Sequence, residues 1–216
     1  FLDKKLDLGQ LNNANVSVVF MNESIEKFLQ KVDNDELHDL VWNGQVINQI
    51  PAKQLWSKIL NNAVKCGEPG ILNGHLWNEQ NNIAYHSDLI STNPCGEIAL
   101  EKYGCCDLGA LVLPRFITKE GNLNKKQLGQ TIYTAVRFLD NVLDVNNYPI
   151  PEIKENCNNV RRIGLGVMGL HDMLVLMGMK YTSREGKDFV SSLLNFIKKN
   201  AYDASIDLAI EKGQFP

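Results

Sequence analysis

The sequence predicts an α/β protein. Short runs rich in β-branched residues alternate with longer stretches whose apolar residues recur at helical spacing. Gly, Pro and Asn clusters separate the two kinds of segment. The composition is that of an ordinary globular chain: 44% hydrophobic and 22% charged over 216 residues, enough for one domain with a substantial core or two small ones. No internal repeat or low-complexity tract interrupts it.

Asn15 to Phe20 reads as a short strand because Val16, Val18 and Val19 favour the pleated conformation. Asn22 is placed to cap a helix over Ser24 to Lys31, with Ile25, Phe28 and Leu29 on one stripe. Leu40 to Trp42 and Gln45 to Ile47 flank Asn43-Gly44, a hairpin signal because both turn residues tolerate positive φ. Pro51 opens the next helix, where its missing N–H is not needed. Leu55, Ile59, Leu60 and Ala63 form its apolar face, and Gly67 stops it. Leu108 to Leu113 reads as a buried strand. Gln127 to Val145 is the clearest helix, with Leu128, Ile132, Ala135, Val136, Leu139 and Leu143 at helical spacing. Pro149-Ile150-Pro151 breaks it. A strand over Arg161 to Gly164, a helix near Val167 to Met177 and a long helix over Ser183 to Glu211 complete the chain.

The densest chemistry lies in Ser91-Thr92-Asn93-Pro94-Cys95-Gly96-Glu97. A thiol stands between an amide and a carboxylate, each two residues away. If the segment is extended, residues 93, 95 and 97 share one face, because side chains alternate along a strand. A cysteine is usually a core residue, but this one sits between Pro and Gly, outside any apolar run. Eleven residues on, Cys106 stands in Gly104-Cys105-Cys106-Asp107-Leu108-Gly109. A glycine-rich block follows at Arg161-Arg162-Ile163-Gly164-Leu165-Gly166-Val167-Met168-Gly169.

Taken in order, these blocks resemble the large, catalytic subunits of ribonucleotide reductases. The unbroken run Asn93 to Glu97, the Cys-x-Leu-Gly element Cys106 to Gly109 and the glycine-rich block carry the resemblance. Its wording leans to the adenosylcobalamin-dependent class. The resemblance implies that residues 1–216 are part of one catalytic domain, a ten-stranded α/β barrel, with a finger loop carrying the radical cysteine to its centre. It implies a thiyl radical on Cys95, general-base work by Glu97, and hydrogen bonds from Asn93 to substrate hydroxyls. Cys106 becomes one half of the cysteine pair that supplies electrons. Members of the family are several times longer. The partner of Cys106 is expected before Phe1 and the phosphate-gripping loop after Pro216. The chain's opening residue, Phe1 and not Met, fits a fragment that is inactive alone.

The resemblance further implies adenosylcobalamin as cofactor and a ribonucleotide substrate. An external dithiol reductant such as thioredoxin or glutaredoxin, the remainder of the same polypeptide and a homodimer mate are the implied partners. A net charge of −3 leaves no electrostatic footprint for nucleic acid or an anionic membrane. No apolar run approaches the ~18 residues of a membrane span. Five unevenly spaced cysteines do not make a secreted disulfide framework and point to a reducing cytoplasm.

Adjacent cysteines seldom bridge each other, so Cys105 reads as a small packing residue, and Cys66 and Cys157 as core or surface filler. Three other functions compete. Gly164 to Gly169 fits G-x-G-x-x-G, the fingerprint of an NAD-binding oxidoreductase. That reading requires a buried strand before it and an acidic residue ~20 positions on, ending a second strand. Asn159 to Ile163 instead carries two arginines, and Glu185 and Asp188 fall in a helical stretch. Close packing of a helix start against a strand explains the small residues equally well. A zinc site from Cys95, Cys105, Cys106 and His75 or His86 lacks any common ligand spacing. A non-catalytic fragment would associate through amphipathic faces such as Gln127 to Val145.

Overall fold

A computed structural model describes residues 15–21 and 23–215. The chain divides between Lys102 and Tyr103 into two compact units, each with its own elements.

In the first unit, β1 (Ser17–Val19) pairs in parallel with β4 (Gly70–Leu72). Between them lie α1 (Ile25–Asp33), the antiparallel hairpin of β2 (Leu37–Trp42) and β3 (Gln45–Pro51), and α2 (Ala52–Cys66). The proposed cap Asn22 lies outside the described residues. Ser24 caps α1, its hydroxyl accepting from the Lys27 N–H at 3.4 Å. Asn43 and Gly44 both take positive φ in the hairpin turn. Gly67 ends α2 in the left-handed conformation that a Cβ would disfavour. Phe20, Phe28 and Ala52 are the buried centre of this unit. Leu60 departs from its expected place and is exposed. The helix α3 (Gly74–Glu79) and the hairpin of β5 (Ser91–Thr92) and β6 (Ala99–Leu100) complete the unit.

In the second unit, β7 (Leu108–Val112) and β8 (Gly164–Met168) form a parallel pair in register from Leu108↔Gly164 to Val112↔Met168. The crossover contains a 3₁₀ turn (Leu113–Phe116), α4 (Lys125–Val145) and α5 (Pro151–Val160). Two helices follow, α6 (Leu170–Leu176) and α7 (Arg184–Lys212). Leu128, Ile132, Val136, Leu139 and Leu143 of α4 are all buried, as the periodicity requires. Leu111, Leu193, Ile197 and Leu208 join the same core from β7 and α7.

Parallel strands joined through helices confirm the α/β class. Three boundaries change. β7 buries one face only: Leu108 and Val112 are exposed while Leu111 is buried. Residues 159–163 are not a strand, because α5 runs to Val160 and Arg161 terminates it at φ +46. The strand is Gly164–Met168 itself, so α6 begins at Leu170, after Gly169.

Candidate active site

The segment around Cys95 is a loop on a two-rung hairpin. Ser91 pairs with Leu100 and Thr92 with Ala99. Asn93 then closes the loop three times. Its N–H donates to the Ile98 carbonyl at 3.2 Å. Its side-chain Oδ1 accepts from the Ile98 N–H at 3.1 Å. Its carbonyl accepts from the Gly96 N–H at 3.0 Å, which makes Pro94 and Cys95 the corner of a turn. Gly96 sits at φ +81, a conformation that favours glycine. Outside the hairpin, Asn15 Nδ2 donates to the Pro94 carbonyl at 2.7 Å.

The extended conformation in which residues 93, 95 and 97 would share one face is not the one adopted. Alternation along a strand does not apply to residues 93–97, because a fixed proline φ and a left-handed glycine turn the chain there. Cys95 and Glu97 are exposed on the loop and Asn93 is half-buried at its base. Asn93 commits its Oδ1 to the loop, while its Nδ2 group has no partner among the described residues. An exposed thiol and an exposed carboxylate two residues apart thus stand on a loop whose base Asn93 pins.

Cys106 belongs to the second unit, just before β7. It lies beside Asp107, whose carbonyl accepts from the Gly164 N–H at 2.8 Å and ties this segment to the start of β8. The Asp107 Oδ2 atom is buried and has no hydrogen-bond partner among the described residues. Burial holds its carboxyl above the usual carboxylate range. Cys105 points elsewhere: its Sγ is 2.8 Å from the Sγ of buried Cys157 on α5. The burial of Cys157 fits its reading as core, but the contact itself joins positions 52 apart and leaves no local signal.

Arg161 fixes the approach to β8. Its Nε and Nη2 donate to Asp140 Oδ1 and to the Asp140 carbonyl, at 2.8 and 2.9 Å, and its Nη1 to Asp144 Oδ1 at 2.9 Å. Lys212 Nζ reaches the same carboxylates at 2.6 and 3.1 Å. The Arg161 hydrogen bond, with Lys212 adding to it, holds the Asp144 carboxyl below its ordinary range. The G-x-G-x-x-G glycines therefore lie within a strand and at its exit. A dinucleotide fingerprint needs them in the turn between strand and helix, so that reading loses its structural context.

Among the described residues, no group of three or more His, Cys, Asp or Glu side chains can hold a metal ion. No helix there is long and apolar enough to cross a membrane.

The family model described as "Ribonucleotide reductase, barrel domain" matches residues 9–216. The chain belongs to that family. It is similar to a protein of Thermoplasma acidophilum named vitamin B12-dependent ribonucleoside-diphosphate reductase, with 36% identity over 217 residues, covering 100% of this chain. A Mycobacterium tuberculosis protein of the same name is 37% identical over 193 residues, covering 88% of the chain. A Chlamydia trachomatis protein named ribonucleoside-diphosphate reductase subunit alpha is 33% identical over 198 residues, again covering 88%. The chain spans 28% of the length of each of the first two and 18% of the third.

Proposed function

We propose that this chain carries the radical-cysteine loop of a ribonucleotide reductase, and that the full-length protein converts ribonucleotides to deoxyribonucleotides. The observation that carries the reading is the run Asn93 to Glu97 on a pinned, solvent-exposed loop, within a chain that belongs to this family.

The roles follow from the chemistry of each group. Cys95, as a thiyl radical, takes the 3′ hydrogen of the ribose, forming S–H and leaving a radical at C3′. Glu97 accepts the 3′-hydroxyl proton, and the 2′-hydroxyl departs as water with the first of the two protons from the cysteine pair. The Asn93 Nδ2 group donates to a sugar hydroxyl without titrating. Cys106 and a second cysteine, not assigned within this chain, give two electrons and two protons and become a disulfide. Glu97 returns its proton to the 3′-oxygen, and the Cys95 S–H returns its hydrogen to C3′. Exposure of Cys95 and Glu97 supports these roles, because both must reach a substrate from outside the loop.

The two relatives named as vitamin B12-dependent support adenosylcobalamin as the cofactor, which when bound supplies the radical equivalent to the Cys95 sulfur. The exposed sulfur fits a radical delivered from outside the loop; no corrin-holding residue is assigned in this chain.

Both units are read as parts of one catalytic barrel of ten strands. The exposed face of β7 and β8 supports this. Leu108, Ala110, Val112, Gly166 and Met168 lie on it, and strands of parallel sheets are ordinarily covered on both faces. The remaining partners in this reading are a second copy of the protein, the rest of the polypeptide, and an external dithiol such as thioredoxin or glutaredoxin. A reducing cytoplasm keeps the thiols available.

The test is an assay of the full-length protein with adenosylcobalamin, a dithiol and ribonucleoside di- and triphosphates. Deoxyribonucleotide formation that requires the cofactor is the expected result. Reduction supported only by an added metal-containing subunit would overturn the cofactor reading. No product under either condition would overturn the function.

A further inference from the structure

We propose that Cys105 and Cys157 are a second oxidisable thiol pair, separate from Cys106, which peroxide closes into a disulfide between the β7 entrance and α5. The two sulfurs stand 2.8 Å apart, with about 0.8 Å to travel to the roughly 2.0 Å of an S–S bond. Cys157 is 4% exposed and Cys105 is half-buried. Cys105 is therefore the more accessible residue of the pair and Cys157 the more buried. This is the geometry of an attacking and a resolving thiol.

The reaction balances without a further reagent. The Cys105 sulfur attacks one peroxide oxygen, the O–O bond breaks, and water and a sulfenic acid result. The Cys157 sulfur then displaces the second oxygen as water. In sum, two S–H bonds and one O–O bond break, one S–S bond forms, the thiols lose two electrons and both protons end in water. The bridge would fasten the segment bearing Cys106 to a helix 52 positions away in sequence.

The surroundings set the rate. Cys105 faces Cys157 from α5, Tyr148 from the α4–α5 connection, and Cys106 and Asp107 on its own segment. Burial, then the Cys157 thiol, pushes the Cys105 thiol up to about 12. Thiolate, the attacking form, is thus scarce at neutral pH. The pair persists as a dithiol there and closes faster as pH rises.

The experiment uses the full-length protein carrying Cys106→Ser, so that the tryptic peptide 103–115 holds Cys105 as its only cysteine; 155–161 holds Cys157. After hydrogen peroxide, alkylation and digestion, mass spectrometry should find these two peptides joined, and separated by dithiothreitol. Adding Cys157→Ser should abolish the joined species. Closure should accelerate between pH 7 and pH 9, by roughly tenfold per unit. Recovery of both peptides singly alkylated, or Cys105 joined to another cysteine, would overturn the proposal. Closure at a rate independent of pH would contradict the thiolate attack on which it rests. Neither result depends on whether the protein reduces nucleotides.

Discussion

Asn93 is asked to do two things with one amide: hold the loop through Oδ1 and, in the proposed site, bind sugar through Nδ2. Substitutions can separate them. Asn93→Asp keeps an acceptor for the Ile98 N–H and loses the donor, so amide exchange at Ile98 should stay protected while turnover falls. Asn93→Leu loses both, and exposes Ile98 to exchange at a cost of about 1 kcal/mol. Equal exchange in the two variants would show that Oδ1 does not hold the loop. Glu97→Gln should slow turnover by ~10²-fold or more with substrate affinity retained, the size of a general-base contribution; near-normal turnover would remove Glu97 from that role. Sequence reading singled out these residues from their spacing together with the family resemblance, which alone supplied their proposed roles. The shared face of residues 93, 95 and 97 was conditional on an extended segment, and Pro94 and Gly96 impose a turn there instead. Sequence reading also passed over the contact of Cys157, because no local pattern marks a residue whose partner lies far along the chain.

At the level of elements, the glycine-rich strand separates packing from function. Gly169 sits at φ +70, and a Cβ there would come within 2.7 Å of Pro114. Gly169→Ala should therefore destabilise the protein by roughly 1 kcal/mol or more, seen as a lower urea midpoint; an unchanged midpoint would contradict the strain. Gly166 is different. Its Cβ would meet nothing closer than the Gly109 carbonyl at 3.7 Å, and it lies on the exposed face of β8. If that face lines the substrate cavity, Gly166→Val should leave the urea midpoint within experimental error and raise KM. An unchanged KM would argue against the face as cavity wall. Long helices were readable from period alone, as α4 shows. The strand was misplaced because three glycines in nine residues resemble a turn, and Arg161-Arg162 resembles a boundary only once α5 is known. That helix was given no range, only a helix-end context at Cys157: Asn156, Asn158 and Asn159 are weak helix formers, and burial of Cys157 and Val160 outweighs them.

Within the second unit as a whole, Asp140, Asp144, Arg161 and Lys212 join α4, the end of α5 and α7 in one ion-pair network. The Asp144 carboxyl is held below its ordinary 3.8. Its contribution to stability is therefore complete above that value and is lost as pH falls through the lower folded value. Wild type and Asp144→Asn should differ in urea midpoint at pH 6, and the difference should narrow below pH 3.8. A difference that stays constant with pH would mean that the carboxylate charge does not act there. Composition and periodicity revealed the α/β class. The barrel came only from resemblance: the described residues pair as four two-stranded sheets.

The most direct test of the proposed function is Cys95→Ser in the full-length protein, assayed for deoxyribonucleotide formation alongside equilibrium substrate binding. Serine preserves the shape of the loop corner, but its O–H bond is too strong to yield a usable hydrogen-abstracting radical. The account predicts that product formation vanishes while substrate binding stays within a few-fold of wild type. Turnover near the wild-type rate would contradict it, whatever else the site retains.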